Sequence, residues 1–119
     1  MNKLLGGAAL FLSLFSPVLF AEITEYHIQL KDHLFSPSRI SIPAQKKVKL
    51  VIDNQDNTPE EFDSFSLNRE KVIFAHHQAI IFIGPLEPGE YPFFGEYNPN
   101  TARGIVIVRD NTQGSPDAN

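Results

Sequence analysis

The side chains of this sequence that are able to do chemistry are carboxylates and imidazoles. The chain has 14 Asp and Glu residues and 4 His residues, but no Cys. Thiolate ligands, disulfide bonds and cysteine nucleophiles are therefore excluded. Carboxylate and imidazole donors together suit Fe(II), Mn(II) or a pale tetragonal Cu(II) site. A metal site in this chain would therefore use carboxylate and imidazole ligands without sulfur, and copper and iron are the candidate ions.

Five side chains, all in predicted loops or where a predicted strand starts, are the candidate metal ligands. Loops carry a large share of the binding residues of proteins. Each candidate also has a simpler interpretation, as a solvated side chain at a strand start or at the tip of a turn. The five are Glu60, Glu61, Glu96, His33 and His76.

Enzymatic hydrolysis finds no support in the sequence. There is no Gly-x-Ser-x-Gly motif and no Gly-rich phosphate loop. Glu60 and Glu61 are adjacent on a predicted strand, so their side chains leave opposite faces and do not form a catalytic carboxylate pair. The enzymatic alternative that remains is a ferrous oxidase that depends on bound copper, and no catalytic residue is assigned.

The first segment of the chain is typical of a secretory leader. Lys3 precedes an apolar run from Leu4 to Phe15, and Ala21 stands at the boundary with polar sequence. We predict cleavage after Ala21 and a periplasmic location, with an uncleaved anchor as the alternative. Because the chain has no Cys, an acylated lipoprotein form is excluded.

The remainder is long enough for one small domain. Without residues 1–21 the chain keeps 98 of its 119 residues, with an excess of five acidic over basic side chains. This charge argues against nucleic acid and anionic membranes, and it favours a cationic partner or a metal ion. We predict a domain over residues 22–109 and a disordered tail over residues 110–119.

Short apolar runs with period two predict an all-β domain. The segments Tyr26–Lys31 and Val48–Ile52 are typical strands, and turn signals recur about every 8–12 residues without any helical period. We therefore expect a β-sandwich of about seven strands. Phe62, Phe65, Phe93 and Phe94 are expected in its core.

Residues 68–83 lead to three further expectations. Asn68–Lys71 is predicted to be a charged connection. The runs Val72–Phe74 and Ile80–Ile83 are predicted to pair through the polar turn between them. Because apolar residues are consecutive in both runs, these strands are expected to be covered on both faces.

Several short motifs resemble the cupredoxin family along the whole predicted domain. Phe35-Ser36-Pro37 followed by Ile40-Ser41-Ile42-Pro43-Ala44 is similar to the second strand and turn of that family, and Pro88-Gly89-Glu90-Tyr91 to its Pro-Gly-x-Tyr turn. Gly104 with Ile105–Val108 resembles its closing strand, after a polar loop that begins at Gly95. The resemblance implies a Greek-key β-sandwich.

Four short sequence segments, in the same order along the chain, are similar to the EfeO-type cupredoxin-like proteins of bacterial periplasmic iron uptake. The resemblance implies an iron permease or another periplasmic iron-uptake component as partner, and no nucleic acid or small-molecule substrate is indicated. The segments are Glu60-Glu61-Phe62, Asn68–Ile73, Ile83-Gly84-Pro85-Leu86 and Phe93-Phe94-Gly95-Glu96.

The resemblance also shows what is missing. In a blue copper member the first His would stand at Glu60 or Glu61, the Cys near Gly95, the second His near Asn98 and the Met near Ala102. Without a thiolate there is no blue copper site, because its spectrum and potential depend on the copper–sulfur bond. The resemblance further implies that the loops with the five candidate ligands meet at one end of the sandwich.

The sequence thus predicts a periplasmic cupredoxin-like accessory protein of iron transport that binds copper or iron through carboxylate and imidazole ligands. The alternative is a metal-free interaction module that kept the fold and lost the site. A ferrous oxidase is the third hypothesis.

Overall fold

The structure is a computed structural model, and it describes residues 6–17 and 22–110. Residues 6–17 form no regular secondary structure. In the described ranges, no helix has the length and apolar character needed to cross a membrane. The predicted cleavage after Ala21 and all of the predicted tail except Asp110 lie outside the described residues, so both stay predictions.

The described part of the chain is built from nine strands and contains no helix. The strands are β1 Glu25–Lys31, β2 Leu34–Ser36, β3 Arg39–Pro43, β4 Val48–Asn54, β5 Glu60–Ser64, β6 Arg69–Ile73, β7 Gln78–Ile83, β8 Gly89–Gly95 and β9 Arg103–Arg109.

The strands form two sheets that pack as a sandwich. A four-stranded sheet has the order β2-β1-β4-β7, and a five-stranded sheet has the order β3-β9-β8-β5-β6. Two pairs are parallel, β1 with β4 and β3 with β9, and both require the chain to cross over between sheets. The predicted all-β sandwich is confirmed, with nine strands instead of about seven.

The core lies between the sheets and contains the inward residues of the alternating strands. Phe62 and Phe93 are 0% and 1% exposed and stack with ring centroids 5.0 Å apart. Phe35 packs edge-on against Phe93 at 5.2 Å. Each buried Phe contributes roughly 1.5–3 kcal/mol relative to an exposed one. This aromatic cluster lies directly inside β5, which carries Glu60 and Glu61, and β8, which Glu96 follows.

The prediction that Phe65 is a core residue is wrong. β5 ends at Ser64, whose hydroxyl donates to the carbonyl of Pro92 at 2.7 Å and accepts the N–H of Leu67 at 3.2 Å. This turn directs Phe65 outward, where it is 84% exposed and lies 5.9 Å from the ring of Phe94. Phe94 follows the buried Phe93 in strand alternation, so it also faces the outer side of the sheet and is half-buried.

The expected pairing between the two apolar runs is also wrong. Arg69–Lys71 belong to β6 together with Val72 and Ile73, and β6 is an edge strand of the five-stranded sheet. β7 is an edge strand of the other sheet, so the turn between them crosses from sheet to sheet. On β7 only alternate side chains are buried, and Ile80 and Phe82 are 49% and 40% exposed. In this protein, edge strands with one solvated face also carry consecutive apolar residues. An apolar run in the sequence therefore does not show whether a strand is covered on one face or on both.

Four connections meet at one end of the sandwich. The strand registers place Leu30 beside Asn54, Asp53 beside Gln78, Glu60 beside Ile73 and Phe62 beside Gly95. We call this end the loop pole, formed by residues 32–33, 55–59, 74–77 and 96–102. It is the arrangement that the resemblance implied, and it contains or borders all five candidate ligands.

Candidate metal centre

Asn54 ties two of the connections of the loop pole together. Its side chain is fully buried, and Nδ2 donates to the carbonyls of Thr58 at 2.9 Å and Ile73 at 3.1 Å. Its Oδ1 accepts the N–H of Asp56 at 2.9 Å. Because a buried amide is costly unless its hydrogen bonds are made, these contacts fix the loop before β5 against the end of β6.

Glu60 is the second buried polar side chain of the loop pole, and it is only 1% exposed. Its Oε1 accepts the backbone N–H groups of Glu61 at 2.9 Å and Tyr97 at 2.8 Å. Its Oε2 accepts Nδ2 of Asn98 at 2.8 Å. Hydrogen bonds to an ionised acceptor are about twice as strong as neutral ones. The carboxylate is therefore accommodated in the interior by N–H donors, without a cation.

The loop over residues 96–102 is folded around this carboxylate. The N–H of Gly95 donates to the carbonyl of Ala102 at 2.8 Å, and that of Ala102 to the carbonyl of Asn98 at 2.9 Å. A Cβ atom at Gly95 would lie 2.5 Å from Cδ of Glu60 and 2.8 Å from Cβ of Ala102. The space beside residue 95 is thus already filled by the carboxylate.

A second group of carboxylates lies on the outer side of the same strands. Carboxylate oxygens of Glu61, Glu70 and Glu96 all lie within 4.8 Å of one another. Asp63 is the cross-strand neighbour of Glu70, is 5% exposed, and is one of the carboxyl groups whose proximity raises the pKa of Glu96. We call these four residues the acidic face.

The acidic face carries negative charge without a neutralising side chain. Among the described residues the ion pairs join Glu25 to Lys49 and His27, and His33 to Asp56, so none includes the acidic face. The charge of Glu61 is the main cause that raises the pKa of Glu96 above its usual value, followed by partial burial and the hydrogen bond with Asp63. Like charges at this distance favour a bound proton or cation.

The histidine candidates lie apart from the acidic face. Nδ1 of His33 is 3.6 Å from Oδ2 of Asp56, a carboxylate that also accepts the backbone N–H groups of Asp32 and His33. Nε2 of His76 lies 2.7 Å from Oδ1 of Asn57. In the part of the chain that the structure describes, the group of possible metal ligands contains Glu side chains and no His.

The structure brings together two of the five predicted ligands, Glu61 and Glu96, and adds two residues that the sequence reasoning missed. Glu70 was placed in a charged connection, and Asp63 was not considered. The signal was present, because Glu61 and Asp63 share one face of a strand by the period of two. Adding Glu70 required the register of β5 with β6, which pairs it with Asp63.

The comparison with known proteins shows the family. The cupredoxin-like domain family matches residues 4–108. A protein of Rickettsia prowazekii (strain Madrid E), "Uncharacterized protein RP394", is 43% identical over 88 residues, which are 74% of this chain and 70% of that protein. The chain therefore belongs to the cupredoxin-like family.

Solved structures with low identity share the fold. The metal-binding domain of the Cu(I)-exporting P-type ATPase CopA of Streptococcus pneumoniae D39 superposes with a TM-score of 0.64 at 17% identity, covering 76% of this chain and 90% of that domain. A copper-binding protein in its apo form gives a TM-score of 0.63 at 18% identity, covering 71% of this chain and 86% of that protein.

The interior of the loop pole does not fit a copper ion of the blue type. At the positions where the resemblance places Cys, the second His and Met, this chain has Gly95, Asn98 and Ala102, which offer no sulfur and no imidazole. Both oxygens of Glu60 are occupied by N–H donors. A side chain at residue 95 would also collide with Glu60. The available ligand atoms and the filled volume beside residue 95 are therefore both incompatible with a blue copper centre.

Proposed function

We propose that this protein is a periplasmic accessory protein of iron transport that binds a divalent cation on its acidic face, through Glu61 and Glu96 with Glu70. The observation that carries this proposal is the convergence of three carboxylate oxygens within 4.8 Å from three separate strands or loops. One ion with metal–oxygen bonds of about 2.0–2.5 Å spans oxygens up to about 4–5 Å apart. A single cation therefore fits the separation.

Asp63 places a fourth carboxyl group against the same site. It is 5% exposed and, after Glu61, is one of the two neighbouring carboxyl groups that raise the pKa of Glu96. Carboxyl groups this close to one another favour a proton or a cation between them.

The donor set defines the chemical class of the ion. Carboxylate oxygens suit Mg²⁺, Ca²⁺, Mn²⁺ and iron ions, while first-row affinity is still highest for Cu²⁺. The imidazole ligands predicted from the sequence, His33 and His76, are not part of this proposal because they lie with Asp56 and Asn57. A copper-dependent ferrous oxidase would require Cu²⁺ at the acidic face.

The transport role, the periplasmic location and the permease partner rest on the leader-like first segment and on the resemblance to periplasmic iron-uptake proteins. Copper binding in structural neighbours supports a metal-related role in a general way. These observations and the acidic face are together consistent with one function. The protein would be a secreted domain that binds a cation and passes it to a membrane permease.

Calorimetric titration of Mn(II), anaerobic Fe(II) and Cu(II) into the purified, chelator-treated protein tests the site. We expect at least one ion to bind more tightly than about 1 mM. The double substitution Glu61→Gln with Glu96→Gln should weaken that binding at least about tenfold, because two of the charged ligands are neutralised.

A matched control removes two negative charges at the opposite end of β8. Glu87→Gln with Glu90→Gln should leave the affinity within about twofold, since residue 90 lies about 20 Å along the strand from residue 96. Absence of binding by all three ions at 1 mM, or equal weakening by both double substitutions, contradicts the proposal. Oxygen consumption on addition of Fe(II) to copper-loaded protein would indicate the oxidase instead.

A metal-free interaction module remains the second candidate, and the filled loop pole favours it. Phe65 is 84% exposed beside a cavity of about 350 Å³ lined by Asp63, Ser64, Phe65, Asn68, Arg69 and Glu70. This function predicts that the Glu61 and Glu96 substitutions change neither metal content nor iron uptake. Substitution of the exposed residues Phe65→Ser and Lys71→Glu would instead abolish co-purification with the iron permease.

A further inference from the structure

From inside the sandwich, Glu60 contacts the backbone at or next to two of the three proposed ligands, Glu61 and Glu96. Its Oε1 accepts the N–H of Glu61 at 2.9 Å and the N–H of Tyr97, the residue after Glu96, at 2.8 Å. One carboxylate oxygen therefore joins the strand that carries Glu61 to the loop that carries Glu96.

The backbone of Glu96 is held on both sides. Its own N–H donates to the carbonyl of Glu61 at 2.9 Å, and the following peptide N–H donates to Glu60. These two bonds set where the Glu96 side chain leaves the loop, directly above Glu61. Binding sites need such support because a ligand displaced by about 1 Å loses much of its contribution.

Small residues make room for the carboxylate of Glu60. Gly95 and Ala102 flank it, Ala102 is fully buried, and a Cβ atom at Gly95 would lie 2.5 Å from Cδ of Glu60. Asn98 completes the enclosure by donating to Oε2 at 2.8 Å. The interior position that would receive a metal in a blue copper member is therefore taken by a side chain of the protein itself.

We propose that Glu60 is a positioning residue that takes the place of an interior metal: its buried carboxylate folds the 96–102 loop without any ion and holds Glu96 against Glu61. The first half concerns the loop alone. The second half rests on the proposed function, because it assigns a purpose to the position of Glu96.

The three contacts of Glu60 all come from N–H donors, so the side chain acts only as an acceptor. Gln keeps the shape and one acceptor oxygen but loses the charge that strengthens these hydrogen bonds. Its amide nitrogen is paired only if the Asn98 amide turns over to offer Oδ1. Glu60→Gln therefore tests the charge of the buried acceptor with little change of volume.

Amide hydrogen exchange measured by NMR, with chelator present, tests the first half. We expect the Tyr97 amide to be protected in the metal-free protein and to exchange at least about tenfold faster in Glu60→Gln. If Glu60→Gln does not fold, Asn98→Ala removes one donor to the same carboxylate and should raise Tyr97 exchange several-fold. Glu90→Gln, an exposed substitution on β8, should leave Tyr97 exchange unchanged.

Cation titration of the same variants tests the second half. Glu60→Gln should weaken the affinity several-fold although it removes no ligand of the acidic face. Protection of Tyr97 that appears only after metal is added, or unchanged exchange in both variants, overturns the loop assignment. A loosened loop with unchanged affinity overturns the positioning role. If the wild-type protein binds no cation while the exchange results hold, the proposed function fails and the loop assignment stands.

Discussion

Glu60 and Glu61 are neighbours on β5, yet they belong to two opposite electrostatic environments. The interior carboxylate is 1% exposed and accepts three N–H groups. The outer carboxylate lies within 4.8 Å of those of Glu70 and Glu96. The N–H donors around Glu60 satisfy the hydrogen bonds of its oxygens. Carboxylates that lie together repel one another, so the outer group is the one that a bound cation would relieve.

The difference follows from the two faces of a single strand. Successive side chains of a strand point to opposite sides of the sheet. The inward side of β5 meets the 96–102 loop and its N–H groups. The outward side chain of Glu61 lies beside the side chains of Glu70, on the paired strand β6, and Glu96. The same residue type thus supports folding at one position and, in the proposed function, ligates a cation at the next.

Among the predictions, the largest change in the free energy of unfolding is expected for Gly95→Ala, which tests the interior environment. The backbone of Gly95 does not need the conformational freedom of glycine, so its small size is what matters, and an added Cβ would lie 2.5 Å from Glu60. We expect a loss of about 3 kcal/mol in the free energy of unfolding, measured by urea denaturation. Adding Glu60→Ala should recover part of that loss. A cost below about 0.5 kcal/mol would show that the interior is not filled as described.

A smaller effect is expected for Asn98→Ala, which removes the donor to Oε2 of Glu60 and leaves that oxygen with one partner fewer. A lost hydrogen bond to a buried charge costs about 1.5–3 kcal/mol. The matched control is the exposed Asn100→Ala, which should change the unfolding free energy by less than about 0.5 kcal/mol. Equal effects of the two substitutions in urea denaturation would contradict the interior network.

The smallest effect concerns the outer environment and its pH dependence. Because the charge of Glu61 raises the pKa of Glu96 in the folded protein, folding favours the protonated form. Ionised Glu96 therefore destabilises the fold at pH above its raised pKa, and this penalty disappears as the pH falls through that pKa to below 4.5.

Glu96→Gln is consequently expected to be more stable than the wild-type protein at neutral pH, with a difference that shrinks on acidification. Urea denaturation of both proteins across this range measures it. A difference that grows as the pH falls would mean that Glu96 is stabilised as an ion, which would remove the electrostatic contrast with Glu60.

Periodicity and turn signals were sufficient for the fold class, because a strand with one buried face alternates in the sequence itself. They were also sufficient to place Glu60 and Glu61 on opposite faces. They failed for Phe65, whose direction depends on the hydrogen bonds of Ser64. They failed again for β6 and β7, since an apolar run does not reveal which sheet it joins.

For the candidate site, the sequence identified Glu61 and Glu96 but not their neighbours. Asp63 and Glu70 join them through the register of β5 with β6, which is a long-range property. His33 and His76 were grouped with the carboxylates because their loops share one end of the sandwich. Their side chains instead bind Asp56 and Asn57, contacts set by the local turns.

The sequence by itself determined an all-β domain without thiolate chemistry, since alternation and the absence of Cys are properties of the chain alone. Only the tertiary structure decided which of two adjacent glutamates is enclosed by N–H donors and which faces other carboxylates. That outcome depends on the loop that packs over β5 from 37 residues further along the chain, and local sequence carries no information about such a contact.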